Sequence, residues 1–116
     1  MEKLTEAIRA ASACAEACTA CADACLAEEN VTDMRACIRS DQDCADICVT
    51  TSRMLSRLTE INTDVIKAQL QACITACRVC AEECEKHAEH HEHCRLCAEA
   101  CRRCEKACTE LLLSME

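Results

Sequence analysis

The chain of 116 residues contains no glycine, no proline and no phenylalanine, tyrosine or tryptophan. Each absence excludes something. Without Gly or Pro nothing breaks a helix outright, and tight hairpin turns lose their usual residues. No segment alternates with period two for long enough to suggest a strand. Without aromatics there is no base-stacking platform, and a formal net charge of −8 leaves no basic face for phosphate. Nucleic acid is therefore not an expected partner. No stretch approaches the ~20 apolar residues of a membrane span, so no membrane partner is expected either. The N-terminal MEKLTEAIRAASAC carries Glu2 and Glu6 and no apolar core, unlike a secretory signal. On that reading the protein is cytoplasmic and keeps its thiols reduced.

What the chain has instead is cysteine, 16 residues of it, set among the helix formers Ala, Glu, Arg and Leu. Residues 73 to 84 read CITACRVCAEEC. Cys73, Cys77, Cys80 and Cys84 step by four, three and four, which at 3.6 residues per turn places them in one stripe. A stripe of this kind ordinarily holds Leu and Ile. The same 4-3-4 rhythm recurs in Cys14, Cys18, Cys21 and Cys25, offset by 59. Cys37, Cys44 and Cys48 map onto Cys97, Cys104 and Cys108 at an offset of 60, which sets Asp41 opposite Cys101 and Met34 opposite Cys94. The chain reads as two helical hairpins in tandem.

Turn signals are weak but placeable. Asn30 and Asn62 suit left-handed positions after a helix, with Thr32, Thr63 or Asp64 as following N-caps. A third turn falls in the histidine-rich 86–94, where His can adopt left-handed geometry. The expected fold class is all-α: one domain over 1–116, with helices at about 3–28, 33–59, 63–88 and 92–114. Short connections make this an antiparallel up-down-up-down four-helix bundle with a cysteine-lined interior, each helix ~36 Å long. Stacking predicts Cys14, Cys48, Cys73 and Cys108 at one level. Cys25, Cys37, Cys84 and Cys97 share another, ~15–17 Å along the axis. Leu4, Ile8, Leu55, Leu58, Ile61, Val65, Ile66 and Leu111 to Leu113 converge on one end as a hydrophobic plug. Met34, Cys94, His87, His90, His91 and His93 gather at the other, open end.

A buried cysteine can act as a small hydrophobe, but that does not account for so many in register. Disulfide staples suit cross-helix pairs better than a continuous ladder. Zinc would take about four ions in tetrahedral sites, a metallothionein-like buffer. Iron–sulfur motifs run CxxCxxC, and no two consecutive three-residue steps occur here. Cu(I) fits best, being soft and content with two or three thiolates. If each sulfur bridges two coppers, charges balance and loading approaches the cysteine count, on the order of 16 ions.

The stripes CxxxCxxCxxxC (14–25 and 73–84) and CxxCxxxCxxCxxxC (94–108) resemble those of the bacterial cytosolic four-helix-bundle copper-storage proteins. The resemblance spans the chain and implies a homotetramer of bundles, each storing many Cu(I) ions. Two departures from the family pattern are the missing aromatics at the closed end and Asp41 where a cysteine is expected. Metal ligands are thus expected at Cys14, Cys18, Cys21, Cys25, Cys37, Cys44, Cys48, Cys73, Cys77, Cys80, Cys84, Cys94, Cys97, Cys101, Cys104 and Cys108. Met34, His87, His91 and Asp41 are further candidates. Met34 offers a soft ligand at the mouth or an ordinary cap, and His87 and His91 continue the stripe of the third helix. Asp41 offers oxygen to copper or accepts thiol protons. Arg78, Arg95, Arg102 and Arg103 lie off-stripe, on an outer face or at tetramer contacts. Sixteen similar thiols in a tube do not make one activated nucleophile, so no enzyme is expected. The competing class is a metal-transfer chaperone, holding one or two exposed ions.

Overall fold

Lacking glycine, the chain must reverse direction three times with residues that have a Cβ. The computed structural model describes residues 2–116. Four helices follow one another: α1 (Glu2–Leu26), α2 (Arg35–Leu55), α3 (Thr63–Glu85) and α4 (Glu92–Ser114). A 3-10 turn over Val31–Met34 leads into α2. Among the described residues Glu60 alone has positive φ, at 58°. A left-handed residue with a Cβ costs about 1–2 kcal/mol, so the chain uses the device once. The expected left-handed asparagines are a correction. Asn30 has φ −91°, and Thr32 lies inside the 3-10 turn and caps nothing. Asn62 is the N-cap of α3, where the Val65 amide donates to its Oδ1 at 3.1 Å. At the third connection the amides of His90 and His91 both donate to the His87 carbonyl, at 3.2 and 3.0 Å. Connections of six or more residues turn by such successive bonds and need no left-handed histidine.

The helices run up, down, up, down in a rod of 49 × 19 × 17 Å. Its narrowness follows from the core. All 16 cysteines are buried on the axis, and Ala7 and Ala11 are wholly buried between helices. Ala10, Ala15, Ala98 and Ala107 are nearly so. Small side chains let the backbones approach, and dispersion between close atoms replaces the bulk of leucine.

The helices are shorter than the periodicity implied: α1 stops at Leu26, α2 at Leu55 and α3 at Glu85. Register differs too. Cys48, Cys73 and Cys108 share a level as expected, with Cys73 Sγ 3.9 Å from each of the others. Cys14 instead stands beside Cys44, Cys77 and Cys101. Thus α1 sits one turn closer to the mouth, and Cys97 meets Cys18 instead of Cys25. The connection over 27–34 is long enough to permit the slide. Ala10 and Ala11, one turn before Cys14, are small enough to accept it.

The closed end is a smaller plug than the sequence suggests. Leu55, Ile66, Leu70, Leu111 and Thr51 are buried there, with Leu4, Ile8, Leu58 and Leu112 partly so. Ile61, Val65 and Leu113 are exposed, because α2 has already ended and the last turn of α4 has no neighbour on that side. Thr51 hides its hydroxyl by donating to the Ile47 carbonyl at 2.8 Å and accepting from Gln69 at 2.9 Å. The off-stripe arginines face outward, and Arg78, Arg95 and Arg102 pair within the chain. Arg95 binds Glu92 and Glu99, while Arg102 forks onto Glu85 of α3 at 2.8 and 3.0 Å. Such exposed pairs add little stability.

Since Leu70 is the largest plug side chain with no solvent exposure, Leu70→Ala should destabilise the reduced, metal-free protein by about 2–5 kcal/mol. Denaturant unfolding measures this, and metal capacity should not change.

Candidate metal centre

Each helix presents its axial residues at four-three-four spacing, so four stripes build a column of sulfur. Nearest the plug, Cys48, Cys73, Cys104 and Cys108 form one group with Sγ separations of 3.9 Å. Next come Cys14, Cys44, Cys77 and Cys101, at 3.6–4.0 Å. The two groups join through Cys48 to Cys77 at 3.7 Å and Cys44 to Cys48 at 3.8 Å. Cys18 continues the column, 3.6 Å from both Cys101 and Cys97 and 3.9 Å from Cys80. Cys37 and Cys84 stand 3.6 Å apart, and Cys21 and Cys94 3.9 Å. All sixteen thiols are free, well beyond the ~2.05 Å of a disulfide.

These separations match the needs of a metal ion. With metal–sulfur bonds of roughly 2.3 Å, tetrahedral ligands lie roughly 3.8 Å apart and trigonal ones roughly 4.0 Å. The quartets that fit an ion overlap. Cys14, Cys44, Cys48 and Cys77 form one, and Cys14, Cys18, Cys44 and Cys101 another. Cys18 and Cys101 recur with Cys80 and Cys97, and Cys48 and Cys77 recur with Cys73 and Cys104. Cys14, Cys18, Cys44, Cys48, Cys77 and Cys101 thus each belong to two candidate sites.

Asp41 occupies the second position of the α2 stripe, between Cys37 and Cys44, and is completely buried. Cys80 and Cys97 donate to its Oδ1 at 3.1 and 3.2 Å, and Cys84 at 3.6 Å. Cys37 reaches Oδ2 at 3.8 Å. Burial pushes the carboxyl far above the usual carboxylate range. In the metal-free protein it is therefore a neutral acid among thiols, fully satisfied in its hydrogen bonds.

At the mouth the structure departs from the sequence reading. Because α3 ends at Glu85, His87 and His91 leave its stripe. His87 Nε2 lies 3.1 Å from Glu83, and His91 Nδ1 lies 3.3 Å from Glu28. His90 is exposed. The histidine that reaches the sulfur is His93, whose Nδ1 lies 3.4 Å from Cys21, 3.6 Å from Cys94 and 4.0 Å from Cys25. Cys21, Cys25, His93 and Cys94 make a further quartet. The signal for it was present, since His93 precedes Cys97 by four and extends the α4 stripe one turn outward. Hydrogen bonds with Cys37 and Cys84 bring the Cys21 thiol down to about 6, against Cys97 and burial, with His93 assisting. Burial pushes the neighbouring Cys25 and Cys94 thiols up. Met34 is wholly buried beneath the mouth and exposes nothing to solvent.

The family model described as copper storage protein matches residues 1–113. This chain belongs to the copper storage protein family. A cytosolic copper storage protein from Streptomyces lividans, in a structure loaded with 10 copper equivalents, is 55% identical. It superposes with a TM-score of 0.96, over 97% of this chain and 85% of that one. The Cu(I)-bound copper storage protein BsCsp3 is 34% identical with a TM-score of 0.80, over 93% and 96% of the two chains. The cysteine-rich protein YhjQ of Bacillus subtilis is 35% identical over 112 residues, 96% of this chain and 98% of that protein. Both copper storage protein structures share the four-helix fold over more than nine tenths of this chain.

The raised pKa of Asp41 has a definite sign in stability. The unfolded chain releases that proton near pH ~3.9, whereas the folded one retains it. Above that pH the unfolded state binds fewer protons, so metal-free stability falls as pH rises, by up to about 1.4 kcal/mol per unit. Asp41→Asn should flatten this decline between roughly pH 4 and pH 5, below both the ordinary thiol range and the Cys21 thiol at about 6. Denaturation of the reduced protein across that window is the measurement, and an unchanged slope would show Asp41 ionised.

Proposed function

We propose that the protein stores Cu(I), holding many ions on the thiolates that line the bundle and taking them in through the His93 end. The observation that carries this reading is the sharing of thiols between overlapping quartets. A closed zinc site needs four thiolates of its own and leaves a buried excess of negative charge, costly in a low-dielectric interior. A bridging sulfur serves two ions at once. One Cu(I) per thiolate makes the column neutral, and each copper taken up displaces about one proton. The proposed ligands are the sixteen cysteines, with His93 at the mouth and Asp41 where it replaces a thiol. Met34, His87 and His91 lie on the path of arrival.

Uptake on this reading begins at Cys21, Cys25, Cys94 and His93. Copper then moves inward by exchange between thiolates, with no Sγ to Sγ step longer than 4.0 Å along the column from Cys18 to Cys108. The plug of Leu55, Leu70 and Leu111 closes the far end. Membership of a metal-storage family supports storage over catalysis. The cytosolic description of the Streptomyces protein supports a cytoplasmic location. For the homotetramer that the family resemblance implies, the apolar groove between α2 and α3 is a fitting face. Ala36, Ile47, Ala72, Ala76 and Val79 line it.

Anaerobic titration of the reduced protein with Cu(I) against a competing chelator should reach on the order of 16 ions per chain, with about one proton released per ion. Saturation at one or two ions would identify a transfer chaperone, and saturation near four with preference for Zn²⁺ would identify a zinc buffer. In a separate loading experiment, His93→Ala should slow uptake more than the double change of His87 and His91 to Ala. Capacity should stay nearly constant in both. Equal or reversed effects would remove His93 from the start of the path.

A further inference from the structure

The imidazole of His93 has two faces, and only one of them looks at sulfur. Its Nδ1 faces Cys21 and Cys94, at 3.4 and 3.6 Å, while Nε2 lies 3.0 Å from Glu28 Oε1. We propose that Glu28 is the positioning residue for copper uptake, its carboxylate fixing the tautomer and orientation of His93 so that Nδ1 meets the incoming ion. The proposal rests on the storage reading above, which assigns His93 to the start of the path.

A neutral imidazole carries one proton, and a ring nitrogen that carries it cannot bind a metal. The carboxylate of Glu28 is an acceptor only, so the ring nitrogen facing it must be the protonated one. That assigns the proton to Nε2 and leaves the Nδ1 lone pair directed at the thiols. Were the tautomer reversed, Nδ1–H would donate to Cys21 and block the position. A carboxylate on the far side of a metal-binding histidine also raises its basicity and stops the ring from turning.

The chain holds Glu28 in place for this task. It lies just beyond α1, where its amide donates to the Cys25 carbonyl at 3.2 Å, so it is tied to the same turn as a mouth thiol. His93 sits in the first turn of α4. The contact therefore joins the end of one helix to the start of another across the opening. His91 lies 3.3 Å from the same Oε1, and its ring centroid is 5.4 Å from that of His93. This second ring steadies the carboxylate. The other carboxylate paired with a mouth histidine, Glu83, is engaged by His87 and Lys86.

The test compares wild type with Glu28→Ala, Glu28→Gln and His93→Ala, all reduced, using the Cu(I) bicinchoninate complex as donor. Glu28→Ala should slow uptake about tenfold without changing final capacity. Glu28→Gln keeps a carbonyl acceptor and should restore most of the rate. Long-range proton–nitrogen NMR of the metal-free protein, with the ring neutral, should show the Nε2–H form of His93 in wild type and Glu28→Gln. A mixture of tautomers is expected in Glu28→Ala. If the Gln variant is as slow as the Ala variant, charge and not tautomer control is at work, and the proposal is overturned. It is also overturned if the tautomer is the same in all three. Should His93→Ala load like wild type, the mouth assignment itself fails. Should His93→Ala be slow while Glu28→Ala is not, the Glu28 proposal fails by itself.

Discussion

Thiol against thiol along a single axis is the contact on which the rest of the molecule depends. Side chains of that size draw four helices into a rod 19 by 17 Å across, and the buried alanines between them are the necessary complement. The same contact sets the chemistry. Thiols at 3.6–4.0 Å can all stay neutral, but once ionised they repel in a medium that screens poorly. The column is therefore stable either fully protonated or with a cation for each charge. Monovalent copper supplies that balance at one ion per thiolate, which divalent zinc in closed sites does not.

From this constraint the two ends acquire different tasks. The plug gathers Leu55, Ile66, Leu70 and Leu111, large apolar side chains of the interior. It supplies hydrophobic stability that does not depend on metal. At the opposite end polarity rises, with His93, Glu28 and His91 joined in one chain of contacts. Asp41 lies between. Its carboxyl takes a thiol's place in the α2 stripe and gathers four thiols in hydrogen bonds. An acid there carries its own proton when no metal is present, so it adds no charge to the empty column.

Much of this was legible in the chain itself. The four-three-four spacing places Cys73 to Cys84 on one face under any helical geometry, and the offset of about 60 pairs the hairpins. The burial of all sixteen cysteines follows from those two facts. Other features were not legible, for identifiable reasons. The level of α1 against the other three helices depends on how neighbouring backbones pack, a property of the pair and not of either stripe. The choice of His93 over His87 and His91 turned on α3 ending at Glu85. Helix ends are set by a few local hydrogen bonds, here at His87 and His91, that carry no periodic signal. The exposure of Ile61 and Val65 has the same origin, in α2 stopping a turn early.

By itself, then, the sequence determined that this protein is helical, that each helix turns a sulfur face inward, and that soft-metal chemistry follows. Those are consequences of spacing along one chain and of the properties of the thiol. Tertiary structure decided which thiols share a level, that Asp41 is surrounded, and that Glu28 meets His93 across 65 residues of sequence. Such contacts come from the relative sliding and termination of neighbouring helices. They are fixed only when all four backbones have settled against one another.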